Sequence, residues 1–144
     1  MIVYVDSSAA AKKYIDEPGS EKARRLLGQA TVISTSLLTV VEMISFLERS
    51  KRERRIDSPT YRRMGGAMEK DLYEIICLVG MDQSLIREAA RIVRQRRLRT
   101  QDAIQLASAL ATQRNNRGEL EFICADRRLL EAARLEGLKC QDVS

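Results

Sequence analysis

The sequence opens with "MIVYVDSSAAAKKYIDEP" (residues 1–18), in which a short β-favouring run leads into an acid and then into helix-forming sequence. Ile2–Val5 shows no strict polar alternation, which is typical of a strand covered on both faces. Asp6 follows at once. The simplest interpretation of such an acid is a helix N-cap, contributed by Asp6 or by its neighbour Ser7, which stabilises a helix by about 1 kcal/mol.

The same arrangement recurs in "EFICADRRLLEAARLEG" (residues 121–137). Phe122–Ala125 is predicted as a strand, and Asp126 follows it at the start of an apolar-periodic helix. In open parallel sheets the carboxyl ends of the strands line the crevice in which ligands bind. If the two strands are neighbours, Asp6 and Asp126 converge on that crevice.

Short β-favouring runs alternate with helical segments along the rest of the chain. The predicted strands are Ile2–Val5, Thr31–Thr35, Ile75–Val79, Phe122–Ala125 and Lys139–Val143. The predicted helices are Ser7–Asp16, Ser20–Gln29, Ser36–Ser50, Thr60–Asp71, Asp82–Arg97, Thr100–Arg114 and Asp126–Leu135. This alternation predicts an α/β sandwich around a mostly parallel sheet of four to five strands. At 144 residues, we expect one domain over residues 1–144.

The composition limits the chemistry that is possible. The chain has no histidine, so a Ser-His triad, a histidine general base and a histidine-ligated zinc are all excluded. The net charge of +5 favours a phosphate-bearing partner, while an aromatic content of 4% argues against extensive base stacking. Three widely spaced cysteines form no CxxC pair. With neither a signal segment nor a membrane-spanning run, we expect a cytoplasmic protein.

Two further acids occupy notable positions. Glu42 lies in the apolar helix "TSLLTVVEMISFLER" (residues 35–49), on a stripe with Thr35, Thr39 and Arg49. From the helical wheel alone, this stripe is predicted to be the solvent-facing side. Asp102 lies in "RLRTQDAIQLASALAT" (residues 97–112), in the first helical turn, where the helix dipole favours an acid. Thr100 is the expected cap of that helix.

Taken together, the four acids indicate a cation site. Carboxylates that met at one crevice would repel each other and shift their pKa values unless a cation neutralised them. Mg²⁺ and Mn²⁺ prefer oxygen ligands, often one or two carboxylates together with water and substrate phosphate. Such ions activate water and stabilise charge in phosphodiester hydrolysis.

Four segments carry a family resemblance. The quoted stretches "VYVDSSAAAKKY", "TSLLTVVEMISFLER", "LRTQDAIQLASAL" and "FICADRRLLEAARLEGL" resemble, in order, the four acidic motifs of the PIN-domain ribonucleases. Within that family they are similar to the VapC-type toxins of type II toxin–antitoxin pairs. The likeness covers nearly the full length and places the motif acids at Asp6, Glu42, Asp102 and Asp126.

The resemblance implies a three-layer α/β/α fold and a Mg²⁺- or Mn²⁺-dependent endoribonuclease. It implies that Asp6, Asp102 and Asp126 hold the metal, and that Glu42 ligates the metal or orients the attacking water. Ser7 is implied as a supporting hydroxyl, and Cys124 departs from the Thr or Ser more often expected there. It also implies a homodimer, an RNA substrate and a cognate antitoxin that docks in or near the groove.

Other functions are compatible with the same residues. A non-catalytic PIN-like module could bind RNA or protein without cutting, and a housekeeping RNA-processing nuclease would share the same chemistry. A phosphoacceptor receiver domain fits poorly, because Asp6 is followed by Ser7 where that chemistry needs a second acid. Candidate phosphate-binding residues are Arg96, Arg97 and Arg99, although an exposed helix end is the simpler interpretation of these arginines.

Overall fold

The computed structural model describes residues 1–117 and 119–144, and it centres on a five-stranded sheet. Every pairing in the sheet is parallel, and the strand order is β3-β2-β1-β4-β5. The strands are β1 (Ile2–Val5), β2 (Val32–Ser36), β3 (Cys77–Val79), β4 (Glu121–Cys124) and β5 (Lys139–Asp142). The predicted α/β class and mostly parallel sheet are confirmed.

Helices connect the strands. They are α1 (Ser7–Ala11), α2 (Ser20–Gln29), α3 (Leu37–Arg52), α4 (Ser58–Lys70), α5 (Gln83–Arg96), α6 (Thr100–Asn115) and α7 (Arg127–Leu135). A π-helical turn, Asp71–Ile75, follows α4 directly. Buried residues of α1 to α4 form one hydrophobic core, and buried residues of α5 to α7 form another. The molecule therefore has the three layers that the resemblance implied.

Side-chain alternation along the strands explains the two cores. Val3 and Val5 point into the core formed with α1 to α4, whereas Tyr4 points into the other. Tyr4 stacks on Phe122 of the neighbouring strand, with ring centroids 5.8 Å apart. Because both faces are covered, the strands can be continuous apolar runs.

The position of β1 at the centre of the sheet decides where the functional residues meet. β1 pairs with β2 on one side and with β4 on the other, with Val5 opposite Ile123. The backbone N–H of Asp6 donates to the Ile123 carbonyl at 3.2 Å, so the end of β1 lies beside the end of β4. The predicted juxtaposition of these two strand ends is confirmed.

The first helix is shorter than predicted. It ends at Ala11, and the N–H groups of Lys12, Lys13 and Tyr14 bond to carbonyls three residues earlier, at 3.2, 3.1 and 3.0 Å. Tertiary contacts explain this tightening, since the Lys13 ammonium and the Tyr14 hydroxyl both donate to Asp71, at 2.6 and 2.5 Å. The first turn after α1 is thus tied to the π-helical turn.

The third strand is also shorter than predicted. Ile75 belongs to the π-helical turn, and its side chain is 54% exposed. β3 begins only at Cys77, where pairing with Ser34 of β2 starts. Ile75 and Ile76 continue the apolar run of β3 in the sequence, so no local signal separates the strand from the turn before it.

Candidate active site

The four acids singled out by the sequence line one cleft at the carboxyl edge of the sheet. The cleft has a volume of about 460 Å³. Asp6 follows β1, Glu42 lies on α3, Asp102 lies in the first turn of α6 and Asp126 follows β4. Residues that are up to 120 positions apart in the chain therefore face one another across a common space.

Asp6 is buried, with 3% of its surface exposed, and its carboxylate is held by its own helix. The Ser8 hydroxyl lies 2.9 and 2.8 Å from the two carboxylate oxygens, and the Ala9 N–H donates to Oδ1 at 3.0 Å. Burial raises the pKa of Asp6 to about 6, although the hydrogen bonds from Ala9 and Ser8 act in the opposite direction. Asp6 is also the N-cap of α1, so the cap predicted at Asp6 or Ser7 belongs to Asp6.

Glu42 is held at both carboxylate oxygens. The Ser7 hydroxyl donates to Oε2 at 3.0 Å, and the Gln105 amide donates to Oε1 at 2.9 Å. The prediction that the stripe bearing Glu42 faces solvent is wrong at Thr35 and Thr39, which are fully buried, whereas Arg49 is exposed. The two threonines pack against the sheet and α6, and their hydroxyls lie 2.7 Å apart.

Asp102 and Asp126 are each bonded within their own elements. The Arg99 guanidinium pairs with Asp102, Nε to Oδ2 at 3.2 Å. Asp126 caps α7 by accepting from the Leu129 N–H at 2.8 Å. The predicted cap at Thr100 is wrong, because the N-cap of α6 is Arg99 and no side chain satisfies that end.

Cys124 lies behind this edge of the cleft. It is buried, and its Sγ accepts from the Asp126 N–H at 3.2 Å. Burial raises the pKa of the thiol, and the nearby Asp6 carboxylate raises it further. The thiol therefore stays protonated and helps to hold the backbone of Asp126, which fits a structural role for this buried cysteine.

The donor set fits a hard divalent cation, although the acids are not gathered around one point. Within residues 1–117 and 119–144, no three His, Cys, Asp or Glu side chains form a group that could hold a metal ion. In the same described residues, no Lys or Arg pairs with Asp6, Glu42 or Asp126. Three carboxylates without cationic partners, on the same cleft and with only oxygen donors, are the ligands that Mg²⁺ and Mn²⁺ prefer.

The remaining lining of the cleft is mixed. Arg49, Arg99 and Lys12 reach it, Lys12 pairs there with Glu17 at 2.9 Å, and Ala11, Ile15, Met43 and Phe46 form the apolar part. Of the three arginines proposed from sequence, only Arg99 lines the cleft. Arg96 instead pairs with Glu136 at 2.8 Å, and the Arg97 carbonyl accepts a hydrogen bond from Arg128.

Two residues that hold the acids were not predicted from sequence. The Ser8 hydroxyl donates to the Asp6 carboxylate and also accepts from the Ala125 N–H at 3.1 Å. Ser8 therefore links the end of β1 to the end of β4. Gln105 lies one helical turn after Asp102 in an otherwise apolar stretch of α6. A single amide in an apolar helical stretch, three residues after an acid, is the sequence signal that could have identified Gln105, because a buried amide needs hydrogen-bond partners.

A parallel three-layer α/β sandwich with a carboxylate-lined cleft at the carboxyl edge of its sheet defines the class of protein to which this chain belongs. A family model described as "PIN domain" matches residues 3–135. Because the match covers most of the sequence, the chain belongs to the PIN domain family.

Solved structures share the fold at low sequence identity. FitAcB from Neisseria gonorrhoeae has a TM-score of 0.65 at 15% identity, covering 99% of this chain and 97% of that one. VapBC2 from Rickettsia felis, bound to a DNA fragment from its promoter, has a TM-score of 0.64 at 11% identity over 100% of both chains. Mycobacterium tuberculosis VapC20, described as a sarcin-ricin loop cleaving toxin, has a TM-score of 0.64 at 19% identity, covering 94% and 95%.

No curated protein matches the sequence. Among the described residues, no helix combines the length and the apolar character that crossing a membrane would require.

Proposed function

We propose that this protein is a divalent-metal-dependent endoribonuclease and the toxin of a toxin–antitoxin pair. The observation that carries the proposal is the convergence of Asp6, Glu42, Asp102 and Asp126, from four separate elements, on one cleft. Membership of the PIN domain family supports a nuclease, and the similarity to VapC20, described as a sarcin-ricin loop cleaving toxin, supports RNA as the substrate.

In this proposal Asp6, Asp102 and Asp126 hold Mg²⁺ or Mn²⁺, and Glu42 ligates the ion or orients the attacking water. When bound, the ion lowers the pKa of water and stabilises the negative charge that develops on the phosphorus oxygens. The Arg99 side chain is 74% exposed, so water screens its ion pair with Asp102 and the pair costs little to break. Asp102 is then available as a ligand.

Hydrogen bonds from neighbouring residues orient two of the cleft carboxylates. Ser8 and the Ala9 N–H hold Asp6, while Ser7 and Gln105 hold Glu42, so each of these carboxylates has a defined orientation on the cleft before substrate arrives. Arg49 and Arg99 lie on the same cleft and are suited to contact the phosphates that flank the scissile bond.

An antitoxin and a second copy of the chain are the proposed protein partners. FitAcB and VapBC2 are similar in fold over nearly their full length, and a further similar structure, at a TM-score of 0.57, is a toxin–antitoxin complex from Klebsiella pneumoniae. The apolar part of the cleft next to the acids offers an antitoxin segment a place that would also block RNA.

A comparison of two aspartate variants tests the proposal. Asp102→Asn keeps the side-chain volume but removes a ligand charge, so we expect RNA cleavage to fall by orders of magnitude with the fold intact. Asp82→Asn is the matched control, because Asp82 also sits at a helix start but caps α5 outside the cleft. If Asp102→Asn cut RNA as fast as Asp82→Asn, the assignment of Asp102 as a metal ligand would be wrong.

A parent protein that bound RNA but did not cut it with either ion would favour the non-catalytic PIN-like module. If cleavage were present but the neighbouring reading frame encoded no small DNA-binding protein with a tail, a housekeeping RNA-processing nuclease of the same chemistry would fit better. Both outcomes leave the family membership unchanged.

A further inference from the structure

A buried hydrogen-bond network stands behind Glu42 and centres on Gln105. Gln105 is 1% exposed, on the part of α6 that packs against α3 and β1. Its Nε2 donates to Glu42 Oε1 and to Thr39 Oγ1, both at 2.9 Å. Its Oε1 accepts from the Tyr4 hydroxyl at 2.6 Å. One side chain therefore links β1, α3 and α6.

The chemistry of its partners fixes the direction of this amide. An ionised carboxylate can only accept hydrogen bonds, so the NH₂ end of Gln105 must face Glu42. The Tyr4 hydroxyl donates to the carbonyl end and completes the orientation. A reversed amide would place two oxygens against each other in a buried setting, which is costly.

Burying the Gln105 amide between α6 and its neighbours costs free energy that its hydrogen bonds must offset. The buried positions around Gln105 in α6 are mostly apolar, including Ala103, Leu106 and Ala107. An apolar side chain would fill this space without the desolvation cost of an amide. The amide is matched atom by atom to its three partners, and one of those partners is an acid of the cleft.

We propose that Gln105 is a positioning residue, which holds the Glu42 carboxylate turned toward the cleft. Ser7 donates to the second oxygen of Glu42 from the cleft side, so the two donors together restrict the carboxylate to one orientation. The inference deepens the proposed function, and its kinetic consequence rests on the role that the proposed function gives to Glu42.

The contact is tested directly by NMR of the Gln105 side-chain amide, which requires no activity. The signal is assigned by its disappearance in Gln105→Met. In Glu42→Ala the amide loses its charged acceptor, so we expect its signal to shift and its proton exchange to become at least about tenfold faster. Asp102→Asn, one turn away on the same helix, should leave the signal in place. If the position and the exchange rate of the amide signal are unchanged in Glu42→Ala, the inference is overturned.

The consequence for catalysis is tested with two variants of α6. Gln105→Met and Thr112→Val each replace a buried polar side chain with an apolar one of similar size, but the Thr112 hydroxyl donates to the Ser108 carbonyl of its own helix. We expect Gln105→Met to lower kcat at least about tenfold with KM within about twofold, and Thr112→Val to leave both unchanged.

Equal kcat values in these two variants, at equal melting temperature, would overturn the positioning role. A parent protein that cuts no RNA would instead overturn the proposed function. The amide experiment would then still decide whether Gln105 holds Glu42, so the two failures are distinguishable.

Discussion

Asp6 combines two properties that conflict in the absence of a cation. It is a buried carboxylate, and no Lys or Arg pairs with it among the residues that the structure describes. Ser8 and the Ala9 N–H compensate part of the cost of burial, but the pKa of Asp6 still rises to about 6. A group of this kind destabilises the folded protein when it is charged, and a bound cation would relieve that cost.

The pH dependence of stability should report this cost. Below about pH 4 Asp6 is protonated in both folded and unfolded chains, and it contributes no penalty. As the pH rises toward 6, the unfolded chain loses the proton first, so the stability of the folded state falls, by up to about 3 kcal/mol above pH 6. We therefore expect Asp6→Asn to gain stability relative to the parent between pH 4 and pH 7.

The measurement is urea denaturation in EDTA at several pH values. Asp82→Asn makes the same chemical change at the exposed N-cap of α5 and provides the baseline for losing a carboxylate at a helix start. If the stability difference between Asp6→Asn and the parent stayed constant from pH 4 to pH 7, the account of Asp6 as a buried, cation-free acid would be contradicted.

At this scale the sequence predicts the acids but not the groups that hold them. In the run Asp6-Ser7-Ser8, adjacent side chains diverge by about 100° around a helix, so one serine reaches Glu42 and the other reaches Asp6. Which serine does which depends on how α3 is placed against α1. That placement is a tertiary feature that local patterns do not contain.

Among the elements, strands were predicted more reliably than helix ends. β1, β2, β4 and β5 are each predicted correctly to within one residue at either end. β1 and β4, which are covered on both faces, stand out in the sequence as short apolar runs. The end of α1 was missed because Lys13 and Tyr14 bond to Asp71, which lies almost 60 residues away. Contacts of that range override helix propensity.

A pair of glycine variants tests the element boundaries. Gly19 begins α2 with φ of +85°, and a Cβ there would lie 1.8 Å from the Val143 carbonyl oxygen. We expect Gly19→Ala to lower the free energy of unfolding by about 2 kcal/mol or more. Gly66 lies inside α4 in open space, so Gly66→Ala should raise that energy by about 0.5–1 kcal/mol.

Both glycine effects can be read from thermal or urea denaturation of the two variants beside the parent. A stable Gly19→Ala protein would mean that the C-terminal end of the chain does not pack against the start of α2 as described. A destabilised Gly66→Ala protein would argue that α4 makes contacts at this position that the structure does not show.

For the molecule as a whole, strand order turns four distant motifs into one cleft. β1 lies between β2 and β4, so the helices that follow β1 and β2, the end of β4 and the start of α6 open onto the same edge. The sequence predicts the strands and the acids, and general rules for parallel sheets predict the edge. The separation of the acids into locally bonded groups required the structure, because it depends on hydrogen bonds across elements.

The central claim is that this cleft is a metal-dependent ribonuclease site. The most direct measurement is cleavage of total RNA by the purified protein with Mg²⁺ or Mn²⁺ and with EDTA, followed by mapping of the cut ends. The account predicts discrete cuts that require the ion and that vanish in Asp102→Asn. Cuts that persist in EDTA, or no cuts with either ion by a folded parent protein, would contradict it.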